Sequence, residues 1–202
     1  MRRPRVIFHI DVNSAFLSWT AVKMLSEGYQ DIRLVPSVVS GDPDDRRSII
    51  TAASMPAKKL GIRTAEPVSM ALRKYPDLLI VRGDWEWYGK CSKGFLDICR
   101  SYSPVLQQFS IDECFIDMTM RNWGEDPVDV ATRLKNEIKE KLGFTVNVGI
   151  GSNKLLAKMA SEFEKPDKVH TLWQEEVQEK MWPLDVRELL WVGKKTEEKL
   201  RM

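Results

Sequence analysis

Two acidic clusters, each set in an otherwise apolar, strand-like segment, constrain this chain more than any other feature. The run Val6-Ile7-Phe8-His9-Ile10 closes on Asp11-Val12-Asn13, and about a hundred residues later Ser110-Ile111-Asp112-Glu113-Cys114-Phe115-Ile116-Asp117 places acids in a second such segment. A carboxylate is poorly placed in an apolar strand unless something cationic offsets its desolvation. A divalent metal ion is the cation that best suits such a pair of clusters.

The order of elements decides whether the clusters can meet. Residues 5–11 read as a buried strand, and Ser14 to Leu25 as a helix stopped by Gly28. Between Arg33 and Pro76, Pro36, Gly41-Asp42-Pro43, Pro56 and Pro67 break the pattern into short elements. A strand over 77–81 and a helix over 84–102 follow, then two strands, Val105 to Ile111 and Glu113 to Met118. Asp126-Pro127 opens a helix as N-cap and first-turn proline, Ala131, Leu134, Ile138 and Leu142 give it a buried face, and Gly143 ends it. Alternation from Phe144 to Ile150 predicts a half-buried strand. With 14–81 set aside as an insertion, strand, helix, strand, strand, helix, strand remain. That is the split βαββαβ, ferredoxin-like pattern of an α+β protein.

In this topology the first strand lies antiparallel to the third, so Asp11 meets Asp112 and Glu113 at one sheet edge. Consecutive strand residues point to opposite faces, so Asp112 and Glu113 can serve one site only across a turn or bulge, which the hairpin boundary supplies. Carboxylate oxygens are hard ligands suited to magnesium or manganese, with substrate phosphates completing the shell.

Composition excludes less than it permits. With 202 residues, 43% hydrophobic, the chain can bury a true core. Arg2, Arg3 and Arg5 precede an apolar run too short for a signal peptide, and no later run is long enough to span a bilayer, so a cytoplasmic protein without membrane contact is expected. Cys91, Cys99 and Cys114 lack zinc-site spacing and read as reduced thiols. The net charge of +2 neither demands nor excludes a nucleic acid partner.

Four segments carry a resemblance. His9-Ile10-Asp11-Val12-Asn13-Ser14-Ala15-Phe16, Pro56-Ala57-Lys58-Lys59-Leu60-Gly61-Ile62, Ser110-Ile111-Asp112-Glu113, and Gly151-Ser152-Asn153-Lys154-Leu155-Leu156-Ala157-Lys158 with Lys165-Pro166 resemble, in order, motifs of the Y-family translesion DNA polymerases, DNA polymerase IV-like branch. The resemblance implies a catalytic palm over 1–13 and 80–168, a small fingers domain inserted at 14–79, and a helical partial thumb over 169–202. It further implies template-directed addition of dNTPs to a primer 3'-hydroxyl on primer-template DNA, in DNA repair and damage tolerance.

The resemblance also assigns roles. Asp11, Asp112 and Glu113 match the metal-binding acids, with the Val12 carbonyl as a further ligand, for two magnesium ions or manganese in their place. Phe16 matches the steric gate against a ribose 2'-hydroxyl, and the same ring reads independently as a core aromatic of the first inserted helix. Lys154 matches a triphosphate-binding lysine. Met55 and Lys58 stand where the family commonly has a tyrosine and an arginine on the triphosphate, and lysine lacks the arginine's bidentate fork. Asn13 replaces a frequent second aspartate.

Pro183 to Met202 resembles a helix-hairpin-helix, in which backbone N–H groups around a glycine turn bind DNA phosphate without reading bases. Gly193, Lys194 and Lys195 are the expected contacts. The chain stops inside the second helix and the family's little-finger domain is absent, so a fragment is expected, with any sliding-clamp contact in the missing region. Two other function classes use a similar fold. A noncatalytic DNA-binding or regulatory relative would lose the metal acids, which are intact here. A palm-fold nucleotide cyclase would need neither the insertion nor the phosphate-binding hairpin.

Overall fold

The computed structural model describes residues 5–42, 45, 47–120 and 124–202; Arg2, Arg3 and Pro43 lie outside this range. Strand β1, Ile7–Val12, is followed by Ser14 in the left-handed region (φ 48), which turns the chain into helix α1, Ala15–Ser26. Then come β2, Ser37–Ser40; β3, Ala52–Ala53; α2, Met55–Lys59; α3, Val68–Lys74; and β4, Leu79–Arg82. Helix α4, Trp85–Tyr102, leads into β5, Leu106–Gln108, and β6, Glu113–Asp117. Helix α5, Pro127–Leu142, starts as expected, with the Val128 N–H donating to Asp126 Oδ1 at 2.7 Å. After it come β7, Val146–Gly151; α6, Lys154–Glu162; β8, Val169–Leu172; and α7, Lys194–Leu200.

The chain forms two compact units, one of Met1–Val12, Phe95–Lys141 and Thr145–Met202, the other of Asn13–Gly94 and Leu142–Phe144. The second holds the three-stranded sheet β3-β2-β4 over a core of Val38, Ile50, Ala57, Ile62, Val68 and Ala71. β4 pairs parallel to β2, so residues 80–82 hydrogen-bond within this sheet rather than with the strands that carry the acids.

The first unit is built on a five-stranded sheet ordered β5-β6-β1-β7-β8. Its first four strands have the expected α+β, ferredoxin-like arrangement, with β1 antiparallel to both β6 and β7. Residues 169–172 depart from expectation: instead of opening a helical segment they form β8, parallel to β7. Helix α6 is the crossover that returns the chain for parallel pairing, and the β-branched Val169 and Thr171 suit a strand. Beyond Leu172 the chain makes 3-10 turns at Gln174–Glu176 and Val186–Glu188 and a π turn at Val177–Met181. The pair of helices read in 183–202 is thus one 3-10 turn and α7.

β7 corrects a second expectation, for all six of its residues are buried. Val146, Val148 and Ile150 form one face; Asn147, Gly149 and Gly151 form the other, and it is covered by α6. A Cβ on Gly149 would lie 2.0 Å from the Ala157 carbonyl oxygen and 2.4 Å from the Ser161 nitrogen. Small residues alternate here because a helix backbone needs the space, not because water does. Asn147 completes the contact, donating from Nδ2 to the Ser161 carbonyl at 3.0 Å and the Glu164 carbonyl at 2.6 Å.

Two alanine substitutions separate space from conformational entropy. Gly149→Ala drives a methyl into backbone and should destabilise by about 3 kcal/mol or more. Gly89→Ala, at an exposed position of α4 with nothing within 4 Å of the added Cβ, should be neutral or stabilise by up to about 1 kcal/mol. Thermal and denaturant melts of both variants check the pair.

Candidate active site

The register of β1 on β6 builds the site. Asp11 lies directly opposite Glu113, and the Val12 N–H donates to the Asp112 carbonyl at 2.9 Å, so the two acidic clusters meet as the topology requires. Side chains opposite one another across an antiparallel pair share a face, and like charges there repel. On neighbouring β7, Asn147 lies opposite Asp11 and Gly149 opposite His9, so His9, Asp11, Glu113, Asn147 and Gly149 share the face that α6 covers.

Helix α6 and the turn after it answer this buried negative charge. Lys158 Nζ donates to Glu113 Oε2 at 2.5 Å, with side chains only 12% and 16% exposed. Lys165 Nζ reaches Asp11 Oδ2 at 2.6 Å and Glu162 Oε1 at 3.0 Å. Asn147 fixes this turn by holding the Glu164 carbonyl immediately before Lys165. A third partner comes from within the sheet: His9, fully buried, sets Nε2 2.9 Å from Glu113 Oε2 and Nδ1 2.8 Å from Ser161 Oγ. Asp112 sits in the turn before β6 and accepts from the Ser110 hydroxyl at 2.5 Å.

These surroundings separate the two facing acids. For Glu113, burial would raise the carboxyl, but the hydrogen bonds from His9 and Lys158 outweigh it and hold the group at about 2. For Asp11 burial is the larger effect and leaves its carboxyl above the ordinary value in spite of Lys165. As the side chains stand, no three His, Cys, Asp or Glu residues among the described ones are gathered as a metal-ligand group. The site nevertheless fits a divalent cation in donor chemistry: hard oxygens from facing strands, each already gripping a positive charge.

The remaining expected residues fall in several places. Lys154 opens α6, bonds Gln107 Oε1 and lies over the Phe115 ring, 5.8 Å from its centroid. Phe16 is half-buried in an aromatic cluster, its ring centroid 5.0 Å from Tyr88 and 5.2 Å from Trp85. Met55 and Lys58 are exposed on α2, which Ser54 caps through the Ala57 N–H. Gly193, Lys194 and Lys195 are exposed at the start of α7. Sequence reasoning gave no role to His9, Lys158, Ser161 or Lys165. The spacing of His9 and Asp11, two apart on one strand, was the signal available for the first of them.

Glu113 gives the site a pH signature. Its folded-state value lies below the ordinary carboxylate range, so its stabilising contribution is complete above about 4.5 and is lost as pH falls toward about 2. In chelator-treated buffer Glu113→Gln should cost up to about 3 kcal/mol at neutral pH, and the gap to the parent chain should close below pH ~4. Paired melts across a pH series measure it, and a gap that is constant with pH is the contrary result.

Comparison with known proteins places this geometry. The impB/mucB/samB family model matches residues 10–162, and the IMS family HHH motif matches residues 174–202. DNA polymerase IV of Clostridium acetobutylicum is 50% identical over 197 residues, covering 97% of this chain and 50% of that protein. DNA polymerase IV 1 of Bacillus subtilis is 34% identical, covering 98% and 47%. Among solved structures, DinB from Sulfolobus solfataricus superposes with a TM-score of 0.84 at 25% identity, covering 97% of this chain and 56% of that one. A post-insertion binary complex of Dbh DNA polymerase gives 0.85 at 26%, with the same coverage. The chain spans about half the length of the curated relatives it matches. Facing acids on β1 and β6, a ferredoxin-like sheet and these likenesses agree that the chain belongs to the impB/mucB/samB family, among its Y-family, DNA polymerase IV-like members.

Proposed function

We propose that this chain carries the nucleotidyl-transfer chemistry of a template-directed, lesion-bypass DNA polymerase acting in DNA repair in the cytoplasm. The observation that carries the reading is the β1–β6 register, which seats Asp11 opposite Glu113 beside Asp112, with a lysine already on each facing acid. Asp11, Asp112, Glu113 and the Val12 carbonyl would hold two magnesium ions, or manganese, which supply polarisation of the primer hydroxyl and neutralisation of the pyrophosphate; polymerases are among the standard two-metal enzymes.

The chain's own groups prepare that state. Lys158 and Lys165 offset the repulsion between the two facing carboxylates, and the Ser110 hydroxyl restrains Asp112. Lys154 and Lys58 act as point charges for the triphosphate, Lys58 without the two-pronged geometry of an arginine, and Met55 adds only apolar contact. Phe16 excludes the ribose 2'-hydroxyl by bulk; its packing among Trp19, Trp85 and Tyr88 supports a fixed ring. Gly193, Lys194 and Lys195 contact primer-template phosphates independently of sequence.

Primer extension in magnesium tests the chemistry. Asp112→Ala should lower the rate by roughly a thousandfold or more with an unchanged melting temperature, because lost charge stabilisation and lost alignment each cost several kcal/mol. Undiminished extension by this variant would sink the assignment.

Phe16→Ala isolates the sugar contact. Preference for deoxy- over ribonucleotides should drop by about 10- to 100-fold while deoxynucleotide incorporation persists. If the ratio of the two efficiencies stays put, Phe16 is core packing alone.

A further inference from the structure

His9 occupies a position where a hydrophobic residue would serve the sheet better. It is fully buried, its ring tilted at 50° against Phe115 with centroids 4.6 Å apart, and lies opposite Gly149 on the neighbouring strand. Burying an imidazole is unfavourable unless both ring nitrogens find partners. Both do. Nε2 faces the Glu113 carboxylate, which can only accept, so this nitrogen carries a proton. Nδ1 meets Ser161 Oγ, a hydroxyl that also reaches the Lys158 carbonyl at 2.7 Å.

Lys158 grips the same Glu113 oxygen, but the two partners differ in what they impose. An ammonium on a four-carbon stem is a point charge that accepts many carboxylate orientations. An imidazole clamped by a ring neighbour and a helix hydroxyl donates along one direction. Both contacts fall on Oε2, and among the described residues neither of these partners engages Oε1.

We propose that His9, oriented by Ser161, is a positioning residue that fixes Glu113 Oε2 and thereby aims Oε1 at the divalent metal. The inference rests on the metal-site reading above and adds to it a residue that touches neither metal nor substrate. Groups that orient metal ligands in this way typically change metal affinity by about 10- to 100-fold when removed.

The test is Mn2+ affinity, read by electron paramagnetic resonance on the full chain without DNA or nucleotide, with a melt of every variant. His9→Phe keeps the ring and removes both nitrogens; His9→Gln discards the ring but places an amide N–H near the Nε2 position. Positioning predicts Mn2+ affinity within about threefold of the parent chain for His9→Gln and a loss of roughly 10- to 100-fold for His9→Phe. A core-packing role predicts no loss for His9→Phe, and that result overturns the proposal. Ser161→Ala should weaken Mn2+ binding by at least about threefold, since it frees the ring to turn. If neither His9 variant folds, this arm decides alone, and unchanged affinity overturns the proposal. Glu113→Gln separates the two levels: if it binds Mn2+ like the parent, the metal-site reading fails and takes the inference with it. If it loses Mn2+ while His9→Phe does not, only the positioning role is wrong.

Discussion

The contact between α6 and β7 is the constraint from which the site follows. Glycines at 149 and 151 let the helix backbone approach the sheet as no side chain would allow. At that distance Lys158 and Ser161, and Lys165 in the turn beyond, come over the one sheet face that holds His9, Asp11 and Glu113. A helix seated higher would leave the lysines short of the carboxylates and the buried acids without counter-charge, at a cost of several kcal/mol per ion. Close packing here is an electrostatic requirement as much as a hydrophobic one.

The two faces of the sheet divide the work. One carries Phe8, Ile10, Val12, Cys114, Ile116, Val146, Val148 and Ile150, all buried. The other is polar at its centre and apolar at its margin, where Ile7, Phe115 and Ala157 pack together. A buried charge cluster is tolerable in such a sheet because the first face supplies the packing that the second forgoes.

Each of the two facing carboxylates is gripped by a lysine. Asp11 with Lys165 and Glu113 with Lys158 are ion pairs whose partners differ in freedom: the Lys165 side chain is 35% exposed, that of Lys158 is 12%. Lys165 can therefore swing toward solvent with little desolvation change, whereas Lys158 is held among Glu113 and the Phe109 ring. The two acids are accordingly unequal in the strength with which they are engaged.

The strands, the order β-α-β-β-α-β and the meeting of Asp11 with the second acidic cluster were legible in the sequence, because they follow from local periodicity and a topology with few alternatives. The caps at Asp126 and the stop at Gly143 were legible for the same local reason. What the sequence could not disclose lies in contacts between residues far apart in the chain. The alternation Val-Asn-Val-Gly-Ile-Gly looks like a strand with one wet face, and only the seating of α6 shows that face to be dry. Strand β8 reads as the start of a new segment, since parallel pairing depends on where a crossover helix returns the chain. Lys158, Ser161 and Lys165 are ordinary residue types at unremarkable spacings; their roles arise when the helix of residues 154–162 and the turn after it are laid across strands 7–12 and 113–117. Sequence determined which charges this protein buries, through local pattern, and tertiary structure alone decided what neutralises them, because counter-charge is a matter of distance in space.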